Sequence, residues 1–154
     1  MMITVMLIIA MVLFGCVLAA GVVGGKVFSC VSDVWYAAGY HFTAAMTLMA
    51  VCVFAVAMEV TPECWRFLAF LMCGGILLVG AAGDYRKSGV TRVVHLASAA
   101  VSAVCSVVWT AVVCAPALWW CVLCVVSLAD RRRWLLWLEL ACFGMVFSGL
   151  MFKV

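Results

Sequence analysis

The sequence predicts an all-α protein, a polytopic bundle of transmembrane helices that forms one domain over residues 1–154. Of its 154 residues 71% are apolar and only 10% are charged, against roughly 45–50% and 25% in soluble domains. A soluble fold of this length cannot bury so much apolar surface. The apolar runs are unbroken rather than alternating, which favours membrane helices of about 20 residues over a β-barrel.

The first three predicted spans follow directly from the apolar runs. The first, Met1 to Val23, lacks the basic start of a cleavable signal and is predicted to be a retained helix. The second and third, Phe42 to Met58 and Phe67 to Ala82, are separated by the polar segment Glu59–Arg66, with Pro62 at its turn.

The stretch from Val93 to Ala129 is too long for one crossing. As a single helix it would extend about 55 Å, well beyond a hydrocarbon core of about 30 Å. Pro116 favours a break because its ring and missing N–H disrupt a helix interior. We therefore divide the stretch into Val93–Val113 and Ala115–Ala129. With a last run from Trp134 to Phe152, six spans are predicted, and five is the alternative.

The placement of basic residues favours six spans. In that topology seven of the nine basic residues share one side of the membrane, namely Lys26, Arg86, Lys87, Arg92, Arg131, Arg132 and Arg133. Lysine and arginine accumulate on the cytoplasmic side. We therefore predict a multi-pass protein of the cell membrane with both termini outside the cytoplasm. A five-span topology would move the arginine triplet to the other side and nearly erase this bias.

Small and hydroxyl residues recur at helical spacing. The small-residue seams are Gly15 with Ala19, Gly21 with Gly25, and Ala141 with Gly144 and Ser148. The fourth span carries a polar stripe of Thr91, His95, Ser98, Ser102, Ser106 and Thr110. Steps of three and four place such residues on one helix face. The stripe predicts either a packing seam, with hydroxyls bonded to carbonyls, or a polar path.

Ionisable residues inside spans are functional candidates because burying them in lipid is costly. A polar path or ligand site would use His95, Ser98, Ser102, Ser106 and Glu139. Glu139 is expected to pair with His95 or with an arginine of the preceding loop. A metal-dependent site would use Asp33, His41, Asp84 and His95, which converge at the cytoplasmic helix ends. The alternative is that these residues cap helices and pair with arginines.

The ten cysteines do not form an obvious disulfide framework. Most lie within spans, where cysteine behaves as a small apolar residue. Cys121-x-x-Cys124 is the one spacing typical of thiol redox sites. Cys64 and Cys114 are both predicted at the outer surface, where they could form a disulfide if that side is oxidising.

The six-span plan, Ser32-Asp33 in the first loop and His95 opening the fourth helix resemble the DRAM and Frag-type six-span membrane proteins and a related bacterial domain of unknown function. The resemblance covers Val27 to Thr110. The proline and acidic positions that follow Ser-Asp in that family are absent from this chain. The resemblance implies a first loop outside the cell, opposite to the orientation that the charges predict, and it implies no established chemistry.

Three classes of function remain open at this stage. The leading interpretation is a non-catalytic subunit or scaffold that packs against lipids, other membrane helices or a second copy of the chain. The alternatives are a carrier or proton channel along the fourth helix, and an intramembrane metal-dependent hydrolase or thiol oxidoreductase. No motif identifies a cofactor. Nucleic-acid binding is not expected, because no basic face interleaved with aromatics is present.

Overall fold

A computed structural model describes residues 1–23, 28–87 and 89–154 of the chain. Two residues used in the sequence predictions lie outside these ranges, Gly25 of a small-residue seam and Lys26 of the basic side. Within them the fold is all-helical and contains no strand. Its helices are α1 (Met2–Val23), α2 (Trp35–Ala38), α3 (Tyr40–Val60), α4 (Arg66–Ala81), α5 (Gly89–Val113), α6 (Val122–Ala129) and α7 (Trp134–Met151).

Five helical segments are long and apolar enough to cross a membrane, which confirms the predicted class of integral membrane helix bundle. They are Met2–Val23, Tyr40–Val60, Glu63–Ala81, Gly89–Val113 and Trp134–Met151. Large apolar side chains also face outward, as Phe70 on α4 and Val104 on α5 do, each 64% exposed. In water such a surface would be strongly unfavourable, but in hydrocarbon it costs nothing.

The long helices run up and down in chain order. Helix α1 packs on α3, α3 on α4, and α4 on α5, while α7 lies between α5 and α1. Phe14 of α1 meets Phe143 of α7 with ring centroids 4.3 Å apart. The first loop makes a 3₁₀ turn at Val31–Val34 and continues into α2, which ends at Ala38 with Gly39 as its C-cap. Gly39 has φ of 54°, a conformation that glycine adopts without steric cost.

The segment that was predicted as the fifth span is short and is only partly α-helical. It begins with a 3₁₀ helix of seven residues, Ala115–Cys121, and continues into the eight residues of α6. Pro116 lies in the first turn of the 3₁₀ helix, where a missing N–H is tolerated. Because a 3₁₀ helix rises about 2.0 Å per residue against 1.5 Å, the segment extends about 26 Å.

This short segment runs antiparallel beside α7. Near its start, Trp120 Nε1 donates a hydrogen bond to Ser148 Oγ at 2.7 Å. At its end, Trp137 Nε1 donates to Asp130 Oδ2 at 3.2 Å. The chain therefore returns along α7 from the level of Ser148 to the level of Trp137.

Close backbone contact joins α4 to α5. A Cβ atom added at Gly75 would lie 2.7 Å from the carbonyl oxygen of Ser98 and 2.8 Å from Cβ of Ser102. Only glycine permits this approach, which is how membrane helices gain packing contacts in the absence of a hydrophobic drive. By contrast, Gly15 and Ala19 of α1 are exposed and Gly15 has open space beside it, so the seam predicted there is not used within the chain.

Three hydroxyls of the polar stripe donate hydrogen bonds to backbone carbonyls. Ser102 Oγ donates to the carbonyl of Met72 on α4 at 2.9 Å. Within α5, Ser106 Oγ donates to the carbonyl of Ser102 at 2.7 Å, and Thr110 Oγ1 donates to that of Ser106 at 2.8 Å. Of the three bonds, the one from Ser102 crosses to α4 and the other two lie within α5.

Candidate functional site

A buried carboxylate joins the first two loops at the end of the bundle where α3 and α5 begin. Asp33 is 6% exposed. It accepts hydrogen bonds from the backbone N–H and the hydroxyl of Ser29 at 3.0 and 2.7 Å, and from the Tyr85 hydroxyl at 2.8 Å. It also forms an ion pair with Arg86. We call these four residues the loop clamp, because they hold the first loop to the second.

The surroundings of the loop clamp set its protonation states. Burial alone would raise the pKa of the Asp33 carboxyl, but the hydrogen bonds from Ser29 and Tyr85 and the charge of Arg86 outweigh it and hold that pKa below 3.8. Burial, with the charge of Glu139 nearby, raises the pKa of the Cys30 thiol to about 11. Cys30 is therefore a neutral thiol at physiological pH rather than a nucleophile.

Aromatic rings extend the loop clamp onto α5. The Tyr85 ring stacks on the His95 ring with centroids 4.4 Å apart and an interplanar angle of 20°. The Arg86 guanidinium lies over the Tyr36 ring, 4.6 Å from its centroid, and the Arg86 backbone N–H donates to the Tyr36 hydroxyl at 2.9 Å. The second loop is thus fixed to the first loop and to the start of α5.

A cavity of about 280 Å³ lies beneath the loop clamp, bounded by α3, α4, α5 and α7. Its walls are mostly apolar. Polar groups gather at the end below the clamp, where Cys30, Ser32, Tyr85, His95 and Glu139 line it. Ser102 and Ser106 line its deeper part, whereas Ser98, whose backbone carbonyl lies against Gly75 of α4, is not among the lining residues.

Glu139 and His95 both face the cavity, but each has its hydrogen-bond partner elsewhere. Glu139 Oε2 accepts a hydrogen bond from the Val31 backbone N–H at 2.5 Å. His95 Nδ1 lies 3.1 Å from the Ala82 carbonyl oxygen, which can only accept, so Nδ1 carries the proton. The described ion pairs are Arg86–Asp33 and Lys87–Asp84. The predicted pairing of Glu139 with His95 or a loop arginine is therefore wrong among the described residues.

Beyond the cavity, towards the opposite end of the bundle, lies a buried indole. Ser106 is the last α5 hydroxyl on its wall, and one turn further Trp109 is fully buried. Trp109 Nε1 donates a hydrogen bond to Thr61 Oγ1 at 2.7 Å, and its ring lies against Gly149. The polar stripe therefore does not continue as an open path through the bundle.

The four residues of the predicted metal site lie at the same end of the bundle but are not brought together. His41 is exposed at the start of α3 and bonds the Ala38 carbonyl. Asp84 pairs with Lys87 at 2.9 Å. In the part of the chain that the structure describes, no group of three or more His, Cys, Asp or Glu side chains is placed to hold a metal ion.

All ten cysteines are free. Cys64, which is exposed, and Cys114, which is buried, are both free thiols, and no disulfide joins them in this structure. Cys121 and Cys124 are both partly buried at the start of α6, and Cys121 Sγ donates to Met145 Sδ at 3.7 Å. The redox assignment of this pair stays a prediction.

The sequence did not single out Tyr85 or Trp109. Tyr85 lies between Asp84 and Arg86 in a short loop, and an aromatic hydroxyl among charges at a helix end was a signal for a bridging role. Trp109 follows Ser106 by three residues and so continues the polar stripe.

Comparison with known protein families, with curated proteins and with solved structures finds no match to this chain. The cavity is therefore interpreted from its own geometry. Apolar walls with a few polar groups at one end are typical of sites for small organic ligands. This arrangement suits an elongated molecule that has an apolar chain and a polar head.

Proposed function

We propose that the chain is a six-span, non-catalytic protein of the cell membrane whose cavity binds an amphiphile from the bilayer. The observation that supports this proposal is the cavity itself, which has apolar walls and polar groups at one end. An acyl or alkyl chain would lie along the walls, and its head would meet Glu139 and His95. Such a protein acts as a lipid-binding subunit or as a scaffold that depends on a bound lipid.

Side access to the cavity from lipid supports the proposal. Leu96 and Ala100 of α5 line the cavity and are also exposed. Leu135 and Leu138 of α7 line it from the opposite side and are partly exposed. An amphiphile could therefore enter between α5 and α7 without crossing the loop clamp.

The roles of the polar groups near the cavity favour binding over catalysis. Asp33 joins the two loops through Arg86 and Tyr85. Cys30 is a neutral thiol beside the Tyr85 hydroxyl, 3.4 Å away. A general acid, base or nucleophile has to be available to a substrate, whereas these groups are engaged in holding segments of the protein together.

A carrier is the second candidate, because His95 and Glu139 both face the cavity. On α5, buried Trp109 lies one turn beyond the last lining hydroxyl, Ser106, and is held by Thr61. Transport across the membrane would require this indole to move. A carrier therefore needs a second conformation, whereas a binding protein does not.

We expect a bulky side chain in the cavity to abolish amphiphile binding. Ala103 lines the cavity, and Ala111 lies exposed on the same helix outside it. Native mass spectrometry of the full chain in detergent, with dodecylamine, dodecanol or dodecanoate added, measures binding. Wild type and Ala111→Phe should bind at least one of the three, and Ala103→Phe should bind it about tenfold or more weakly. Equal binding by the two variants, or none by wild type, would contradict the proposed function.

The six-span topology of this proposal rests on the course of the short segment beside α7. Because Ala115–Ala129 returns from the level of Ser148 to that of Trp137, α5 and α7 run in the same direction. The exposed arginines of the α6–α7 turn then lie at the same end as Arg86. By the positive-inside rule this end is cytoplasmic and both termini lie outside.

A further inference from the structure

We infer that the cavity selects an amphiphile with a positively charged, hydrogen-bond-donating head, a long-chain amine, and that Glu139 is its counter-ion. The inference rests on the proposed binding of an amphiphile and adds the chemical class of its head. It depends on the hydrogen bonds that the polar lining groups already donate to other protein atoms.

The serine hydroxyls on the cavity wall present acceptors. The hydrogen of Ser102 Oγ goes to the Met72 carbonyl, and the hydrogen of Ser106 Oγ goes to the Ser102 carbonyl. A hydroxyl has one hydrogen and two lone pairs. What both serines can offer a ligand is therefore oxygen lone pairs.

The side chains at the end of the cavity below the loop clamp also have their donors occupied. The Tyr85 hydroxyl donates its hydrogen to Asp33, so the Cys30 thiol beside it can only donate to the Tyr85 oxygen. His95 Nδ1 gives its hydrogen to the Ala82 carbonyl. The donors of these three side chains are occupied by the protein. Ser32, also on the wall, carries a hydroxyl that can accept as well as donate.

Glu139 is the group that can carry the opposite charge when an ammonium lies beside it. One of its oxygens accepts the Val31 N–H, and no basic side chain among residues 1–23, 28–87 and 89–154 lies within ion-pair distance of it. Arg86, the nearest cation of the loop clamp, is engaged with Asp33 and its side chain is 56% exposed. A carboxylate inside a membrane helix is costly without a partner of opposite charge. An ammonium head in the cavity would supply that partner.

The head group therefore decides the expected order of affinity. An alkylammonium would form a charge-assisted hydrogen bond with Glu139 and further bonds with the lone pairs around it. An alcohol of the same chain length could form a neutral hydrogen bond only. A carboxylate head would meet the carboxyl group of Glu139 and the few acceptors at the head end of the cavity, and would be disfavoured.

The test compares dodecylamine, dodecanol and dodecanoate on the full chain in the same detergent, by titration in native mass spectrometry. Wild type should bind the amine about tenfold or more tightly than the alcohol, and the carboxylate least. Glu139→Gln keeps the shape and one acceptor but removes the charge, so it should lose the preference for the amine and still bind the alcohol as wild type does. Glu63→Gln, an exposed carboxylate at the opposite end of the bundle, is the control and should behave as wild type.

Each outcome separates the inference from the proposed function. Equal affinity of wild type for amine and carboxylate, or an amine preference that survives in Glu139→Gln, overturns the inference and leaves the proposed function standing. Absence of binding by all three compounds overturns both. The comparison of heads on wild type needs no variant, so it holds even if Glu139→Gln does not fold.

Discussion

Replacing Trp109 with alanine is expected to lower the free energy of unfolding by about 3–5 kcal/mol, the range for deleting a large buried aromatic. The indole is fully buried against Gly149, and its N–H is the hydrogen-bond donor to Thr61. Its loss would leave a cavity between α5 and α7 and an oxygen of Thr61 without its donor. The same change would extend the proposed amphiphile cavity towards the opposite membrane face.

Denaturant or thermal unfolding of the detergent-solubilised protein measures this effect. Trp119→Ala is the matched control, because Trp119 is 57% exposed and its removal should cost less than about 1 kcal/mol. Trp109→Phe should fall between the two, since it keeps most of the apolar bulk but loses the N–H. Equal unfolding free energies for Trp109→Ala and Trp119→Ala would contradict the stabilising role assigned to the buried indole.

Removing the carboxylate of Asp33 is expected to lower the free energy of unfolding by about 2–3 kcal/mol. Asp33→Ala leaves Ser29 and Tyr85 without their acceptor and Arg86 without its ion pair. The exposure of Arg86 limits the share of the ion pair, so most of the loss comes from the hydrogen bonds. Asp84→Ala breaks a pair with exposed Lys87 and should cost less than about 1 kcal/mol.

The same site gives a pH dependence whose sign follows from the lowered pKa of Asp33. A carboxyl with a folded-state pKa below its unfolded value stabilises the fold above the unfolded value, here about 3.8. The stabilisation is lost as the pH falls through the folded-state value. Wild type should therefore lose its stability advantage over Asp33→Ala only below about pH 4. An advantage that stays constant into strong acid would contradict the assigned role of Asp33.

The spans could be predicted from the sequence because each depends on a local property, the length of an apolar run. The predicted Phe42–Met58 is α3 at Tyr40–Val60, and the predicted Trp134–Phe152 is α7 at Trp134–Met151. The 3₁₀ start of Ala115–Ala129 could not be predicted in this way. It accompanies contacts of Trp120 with α7, where the indole lies against Gly144, and such a contact between distant residues leaves no local pattern.

The sequence predicted some residues of the candidate site but not the contacts that they make. The sequence identified Glu139 and Asp33 as candidates because placing an ionisable side chain inside a membrane protein is costly. Their partners lie far away in the chain: the Val31 N–H for Glu139, and Tyr85 for Asp33. The serine stripe was open to two interpretations because helical spacing fixes a face but not what covers it. In the structure, one part of that face packs against α4 and another part lines the cavity.

The location of the two termini tests the central claim most directly, namely that the chain crosses the membrane six times with the loop clamp in the cytoplasm. Epitope tags at residue 1, at residue 154 and in the turn at 130–133 would be probed in intact cells with an impermeant antibody or protease. We expect both terminal tags to be accessible and the turn to be protected. Termini on opposite sides would contradict six crossings, and two protected termini with an accessible turn would reverse the orientation, as the DRAM and Frag-type resemblance implies.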